Sequence, residues 1–154
     1  MIGRRAIVAL SALGVLVSAY LTWVHWSGEL ALCIGVGGCE TVQTSRFAEV
    51  AGVPVALLGA IGFAGLGALG LLRLRAEPVP WTLTALFGLA FGATLYAAYL
   101  TYLELAVIGA ICPWCVSVAT IVTAIFVLSV RELADADGRT ISRPLQPRAR
   151  RSGP

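Results

Sequence analysis

Trp81–Leu103 reads WTLTALFGLAFGATLYAAYLTYL, a run without one ionised side chain. A helix needs ~20 mostly apolar residues to cross the hydrocarbon of a bilayer, and this run supplies them. Three similar stretches accompany it: Ile7–Trp26, Val53–Leu72, and a last one from about Pro113 to Val130. The chain is 58% hydrophobic and only 12% charged, with a mean hydropathy of +0.89. Helices this uniformly apolar, stacked in water, would leave an apolar exterior. The sequence therefore predicts an all-α integral membrane protein, a bundle of four transmembrane helices, and excludes a soluble domain.

Arginine gives the orientation, since the chain has no lysine. Arg4 and Arg5 precede the first span, and Arg73 and Arg75 lie between the second and third. Arg131, Arg139, Arg143, Arg148, Arg150 and Arg151 follow the fourth, and Arg46 alone falls on the other side. The excess of positive charge marks the cytoplasmic face. Both termini are thus expected in the cytoplasm, with an exoplasmic loop, Ser27–Gly52, between the first two spans. The net charge of +3 reports topology and attraction to anionic lipid, not nucleic-acid binding. Arg4 and Arg5 before an apolar run resemble a signal peptide, but Ser-Ala-Tyr-Leu-Thr-Trp is a poor cleavage site, so the first span is expected to remain. Arg131–Pro154 is expected to form a cytoplasmic tail, disordered beyond the last helix.

Only four cysteines occur: Cys33 and Cys39 as C-x5-C in the outer loop, and Cys112 and Cys115 as Cys-Pro-Trp-Cys at the head of the fourth span. All four fall on the exoplasmic side, where disulfides form and persist. Pro113 suits a first helical position, which makes Cys112 the N-cap, where the helix dipole favours a thiolate. Cys115, one turn on, is expected deeper in the membrane, so that one sulfur faces water and the other lipid-soluble reactants. A CxxC ring is small and closing it restrains the unfolded chain little, so it makes a poor staple. Glycines 35, 37 and 38 leave the first pair in a flexible, water-accessible loop suited to thiol exchange. Zinc ligation by the four is disfavoured, because structural zinc sites use shorter C-x2-4-C knuckles. Gly88 and Gly92, with Ala60, Ala64 and Ala68, read as close packing within the bundle. Glu104, near Cys112, could raise the thiol pKa or accept a proton, but it reads first as a solvated loop carboxylate; His25 reads as an interfacial residue rather than a proton donor.

A C-x5-C loop between the first two spans, Ser45 six residues after its second cysteine, and CxxC heading the fourth span resemble the vitamin K epoxide reductase family. The likeness covers roughly Ile7–Val130. It implies a four-helix bundle around a quinone (ubiquinone or menaquinone), Cys112–Cys115 as the active disulfide and Cys33/Cys39 as the shuttle pair. It also implies a redox partner: a separate thioredoxin-fold, DsbA-like thiol oxidase, reoxidised from the inner (cytoplasmic) membrane. Cys115 is the cysteine expected at the quinone, and Ser45 either touches a sulfur or the quinone or makes a local turn hydrogen bond. Where vertebrate members have a tyrosine after the CxxC and an asparagine early in the second helix, this chain has Ala119 and Val55, so polar contacts to a quinone must come from elsewhere. In the implied relay, partner thiol attacks Cys33, Cys39 attacks Cys112, and Cys115 passes electrons to the quinone. The competing reading is a non-enzymatic tetraspan protein with two structural disulfides, whose cysteines would stay inert to maleimide whatever quinone or dithiol is added.

Overall fold

The computed structural model describes residues 2–28, 38–75 and 80–141, the side chains of residue 80 and of 137–141 excepted. Four long helices dominate it: α1 (Ile2–Ser27), α3 (Val55–Arg75), α4 (Pro80–Leu103) and α5 (Pro113–Ile141). A short helix α2 (Cys39–Gln43) and a hairpin of β1 (Glu49–Val50) and β2 (Val53–Pro54) fill the connection before α3. The hairpin turns at Ala51 and Gly52, both with positive φ (53° and 80°), the geometry of a two-residue turn matched to strand twist. Val53 and Pro54, expected as the start of the second span, are therefore strand; the helix begins at Val55.

Among the described residues, four segments are long and apolar enough to cross a membrane: Ile2–Ser27, Val55–Arg75, Trp81–Ile108 and Pro113–Ala136. This is a multi-pass membrane protein. Its exterior is correspondingly greasy, with Leu16, Ile61, Leu95 and Val127 exposed. The core joins all four helices through Ile7, Phe63, Leu66, Leu86, Ala90, Val122 and Ile125.

Helix association in lipid relies on close backbone approach, for which small residues are used. The α1–α3 seam does this with residues other than the expected ones. A methyl group on Gly14 would lie 2.4 Å from the Phe63 ring, and one on Gly70 3.0 Å from Val8. Gly88 and Gly92, by contrast, would meet nothing within 4 Å, and Ala64 and Ala68 are exposed. The glycine pair of α4 leaves space where close packing was expected.

At the end of the bundle remote from the cysteines, Arg73 is buried, 5% exposed. Its guanidinium lies 2.8 Å from Glu132 and donates to Thr82 Oγ1 at 3.5 Å. Arg4 approaches the same carboxylate at 3.6 Å and donates to the Arg73 carbonyl at 3.2 Å. One glutamate thus ties α1, α3 and α5 together. The helix that carries it, α5, continues past Val130 to Ile141. Residues 142–154 of the expected tail lie outside the described residues.

Candidate active site

The site is built where α4 hands over to α5. Beyond Leu103 the helix widens into a π-helical turn, Glu104–Ile108, which ends at Gly109 in the left-handed conformation (φ 68°). The Ala110 N–H returns to the Glu104 carbonyl at 3.1 Å, closing the turn. Pro113 opens α5 as the sequence predicts, and the Cys112 carbonyl accepts from Val116 N–H at 3.1 Å, the bond expected of an N-cap.

Glu104 is the first departure from expectation. It is buried, 4% exposed, and its Oε2 accepts from the Cys112 N–H at 3.2 Å. The π-helical turn carries the side chain inward, so it is not a solvated loop carboxylate.

Burial of the cysteines is the second. Cys39, Val42 and Cys112 form one buried cluster, with Cys115, Ile108, Ala110 and Trp114 packed on it. Cys112 has no exposed surface and Cys39 only 2%, so neither is water-accessible as expected. Helix α2 lies over the CxxC turn, anchored by the Gly38 N–H bonding the Ile111 carbonyl at 3.1 Å. A methyl at Gly38 would come within 2.5 Å of the Ala110 side chain, so only glycine permits this contact. Trp114 packs on Tyr20 of α1, ring centroids 5.4 Å apart. Cys39 is disulfide-bonded, whereas Cys112 and Cys115 are free thiols. Cys33 lies outside the described residues.

The hydrogen bond from the Cys115 thiol brings Cys112 down from 9.0 to about 7, against the opposing effects of burial and the Glu104 charge. An acid with a lowered pKa is ionised above that value and neutral below it. Thiolate ultraviolet absorbance of the protein reduced at this pair should therefore rise as pH climbs through about 7. Cys115→Ala removes the main cause and should move the midpoint back toward 9.0. An unchanged midpoint in that variant would assign the effect elsewhere.

Cys115 is half-buried and opens onto a cavity of about 400 Å³ lined from all four long helices, within the range of small-molecule sites. The wall is mainly apolar: Leu66, Val118 and Val122 among others, with Val55 and Ala119 in it as expected. Gly88 and Gly92 contribute the open space noted above. Ser45 lines the cavity, but its hydroxyl donates to the Val42 carbonyl at 2.7 Å. The local turn bond is thus made, and only lone pairs remain for a ligand. His25, also on the wall, pairs with Glu49 at 2.9 Å.

The vitamin K epoxide reductase family profile matches residues 5–130. The chain belongs to that family. A relative, the thiol-disulfide oxidoreductase LTO1 of Arabidopsis thaliana, is 32% identical over 124 residues, covering 75% of this chain and 33% of its own length. The chain therefore spans about a third of that relative.

One polar residue of this family member, Gln43, is missed by the sequence reading, and the inward placement of another, Glu104, is not foreseen by it. Gln43 reaches the cavity, and its Nε2 is buried without a hydrogen-bond partner, a state that costs about 1–3 kcal/mol. It stands four residues after Cys39, one helical turn along the same face. That spacing was readable once the run after Cys39 was taken as helix. Glu104 was noticed, but nothing in the sequence announces a π-helical turn.

Proposed function

We propose that the protein is a quinone-linked thiol–disulfide oxidoreductase that regenerates disulfides in a separate thioredoxin-fold, DsbA-like partner. The observation supporting this most is the division of one CxxC between two surroundings. Cys112 packs against the loop cysteine Cys39, and Cys115 opens onto an apolar cavity. Membership of the family and the relative's description agree with membrane redox chemistry.

Partner thiol attacks the loop pair at Cys33. Cys39, freed, attacks the neighbouring Cys112 across the buried cluster and sets Cys115 free; the partner's second thiol then releases Cys33, which re-pairs with Cys39 and leaves Cys112 as a thiolate. The cavity fits a quinone ring: its wall is apolar, and the orphan Gln43 Nε2 is a donor without an acceptor. A quinone bound there would supply a two-electron, two-proton acceptor. Gln43 would donate to a carbonyl oxygen, and Val55, Val118, Ala119 and Val122 would exclude water. A strongly oxidising acceptor is needed, because a DsbA-like partner has a potential near about −120 mV. The direct test is quinone consumption by the reconstituted protein with a reduced dithiol protein. Absence of turnover with both ubiquinone and menaquinone would refute the assignment.

The arginine distribution adds the cytoplasmic membrane, with both termini inside and the cysteines outside. An impermeant thiol reagent should label a Glu40→Cys variant, altered at an exposed position of α2, in intact spheroplasts. Labelling only in inverted vesicles would reverse the orientation.

A further inference from the structure

Closing the Cys112–Cys115 disulfide requires the Cys115 proton to go somewhere, and the pair lies buried. In the reduced pair the Cys115 thiol donates its hydrogen bond to Cys112, so Cys115 holds the remaining proton. Glu104 is the carboxylate at hand. It is 4% exposed, lines the same cavity as Cys115, and reaches the head of α5 through the Cys112 N–H at 3.2 Å. Its charge acts on both sulfurs, Cys112 and Cys115.

Other titratable groups around it are less well placed. On α1, His25 is engaged by Glu49 at 2.9 Å. On α2, Glu40 is exposed and Cys39 is disulfide-bonded. On α4, Tyr96 places a phenol on the cavity wall, a group that has no basic site to offer near neutrality. A π-helical turn is an irregularity frequently found at functional sites, and here it turns the carboxylate inward to the Cys112 N–H and the cavity that Cys115 lines.

We infer that Glu104 is the proton carrier of the CxxC pair, accepting the Cys115 proton when the disulfide closes and returning it when the disulfide opens. The inference rests on the thiol–disulfide reading above. In the closing step Cys112 enters as thiolate, its proton already lost to water, and Cys115 as thiol. The Cys115 S–H bond breaks, its proton moves to a Glu104 carboxylate oxygen, and the Cys112–Cys115 S–S bond forms. A bound quinone would take the two electrons and two protons, one from Glu104 and one from water, and the carboxylate would be restored.

Glu104→Gln separates this role from a structural one. The amide oxygen can still accept from the Cys112 N–H, but the side chain cannot take a proton. Expected is a fall in kcat for quinone reduction of about 10²-fold, the usual scale of general acid–base catalysis. The KM for quinone should stay within about twofold, and Tm should not change.

A second readout needs no quinone. In the Cys33→Ser/Cys39→Ser background, methyl methanethiosulfonate places a methylthio group on reduced Cys112. Attack by Cys115 then expels methanethiol, and quenched mass spectrometry times the closure. Glu104→Gln should slow that closure about 10²-fold. Wild-type rates in both assays for Glu104→Gln would overturn the proposal, leaving the carboxylate as a cap on α5. Equal impairment of Glu104→Gln and Glu104→Ala with a lowered Tm would overturn it as well. Slowed closure, together with a wild-type protein that reduces no quinone, would keep the proton carrier and reject the quinone assignment.

Discussion

Cys115→Ala is expected to reduce quinone turnover to the uncatalysed background with every thiol donor. Cys115 is the cysteine of the CxxC pair that lines the apolar cavity, and without it Cys112 has no partner with which to re-form a disulfide. Cys33→Ala and Cys39→Ala should separate by donor. Both should abolish turnover with a protein thiol, because Cys39 is the loop sulfur packed against Cys112. Both should retain activity with a small membrane-permeant dithiol that reduces the CxxC pair directly. The measurement is loss of quinone absorbance for each variant with each donor. If loop and CxxC variants are equally dead with the small dithiol, the two-stage relay is wrong.

Glu132→Leu should be the most destabilising change away from the cysteines. Arg73 has a side-chain exposure of 4% and Glu132 holds it at 2.8 Å. Removing one partner of a buried pair leaves an uncompensated charge, at a cost of about 3–5 kcal/mol. Thermal unfolding in detergent micelles should show it, and the Arg73→Met/Glu132→Leu double variant should recover most of the loss, since an apolar pair of similar volume is often neutral. A double variant as unstable as the single one would show that Arg4 and Thr82, not the Arg73–Glu132 pair, carry the stability.

The long helices were legible because a bilayer imposes a length and a polarity that composition cannot hide, as in Trp81–Leu103. Pro113 marked the start of α5 for an equally local reason, its missing N–H. What escaped is non-local. Whether Gly88 packs or opens space depends on what α3 places opposite it, and the seam was instead built on Gly14 and Gly70 against Phe63 and Val8. The inward turn of Glu104 depends on one extra residue per helical turn, which no periodicity of this apolar segment reveals. Cys39 looked exposed because glycines surround it in sequence. Its burial follows from α2 docking on Ile111, a contact between residues far apart in the chain. Arg73 read as a topology marker, and only the fold shows that Glu132 waits for it on another helix.

Zero exposure at Cys112 amounts to insulation. A hydrophilic oxidant or thiol dissolved outside the membrane has no surface on which to touch the live sulfur. In the relay proposed above, current drawn from the loop would have no exit to peroxide, metal ions or glutathione, and only a reactant that partitions into oil could tap the far terminal. The short helix α2 would be the sheath on that wire.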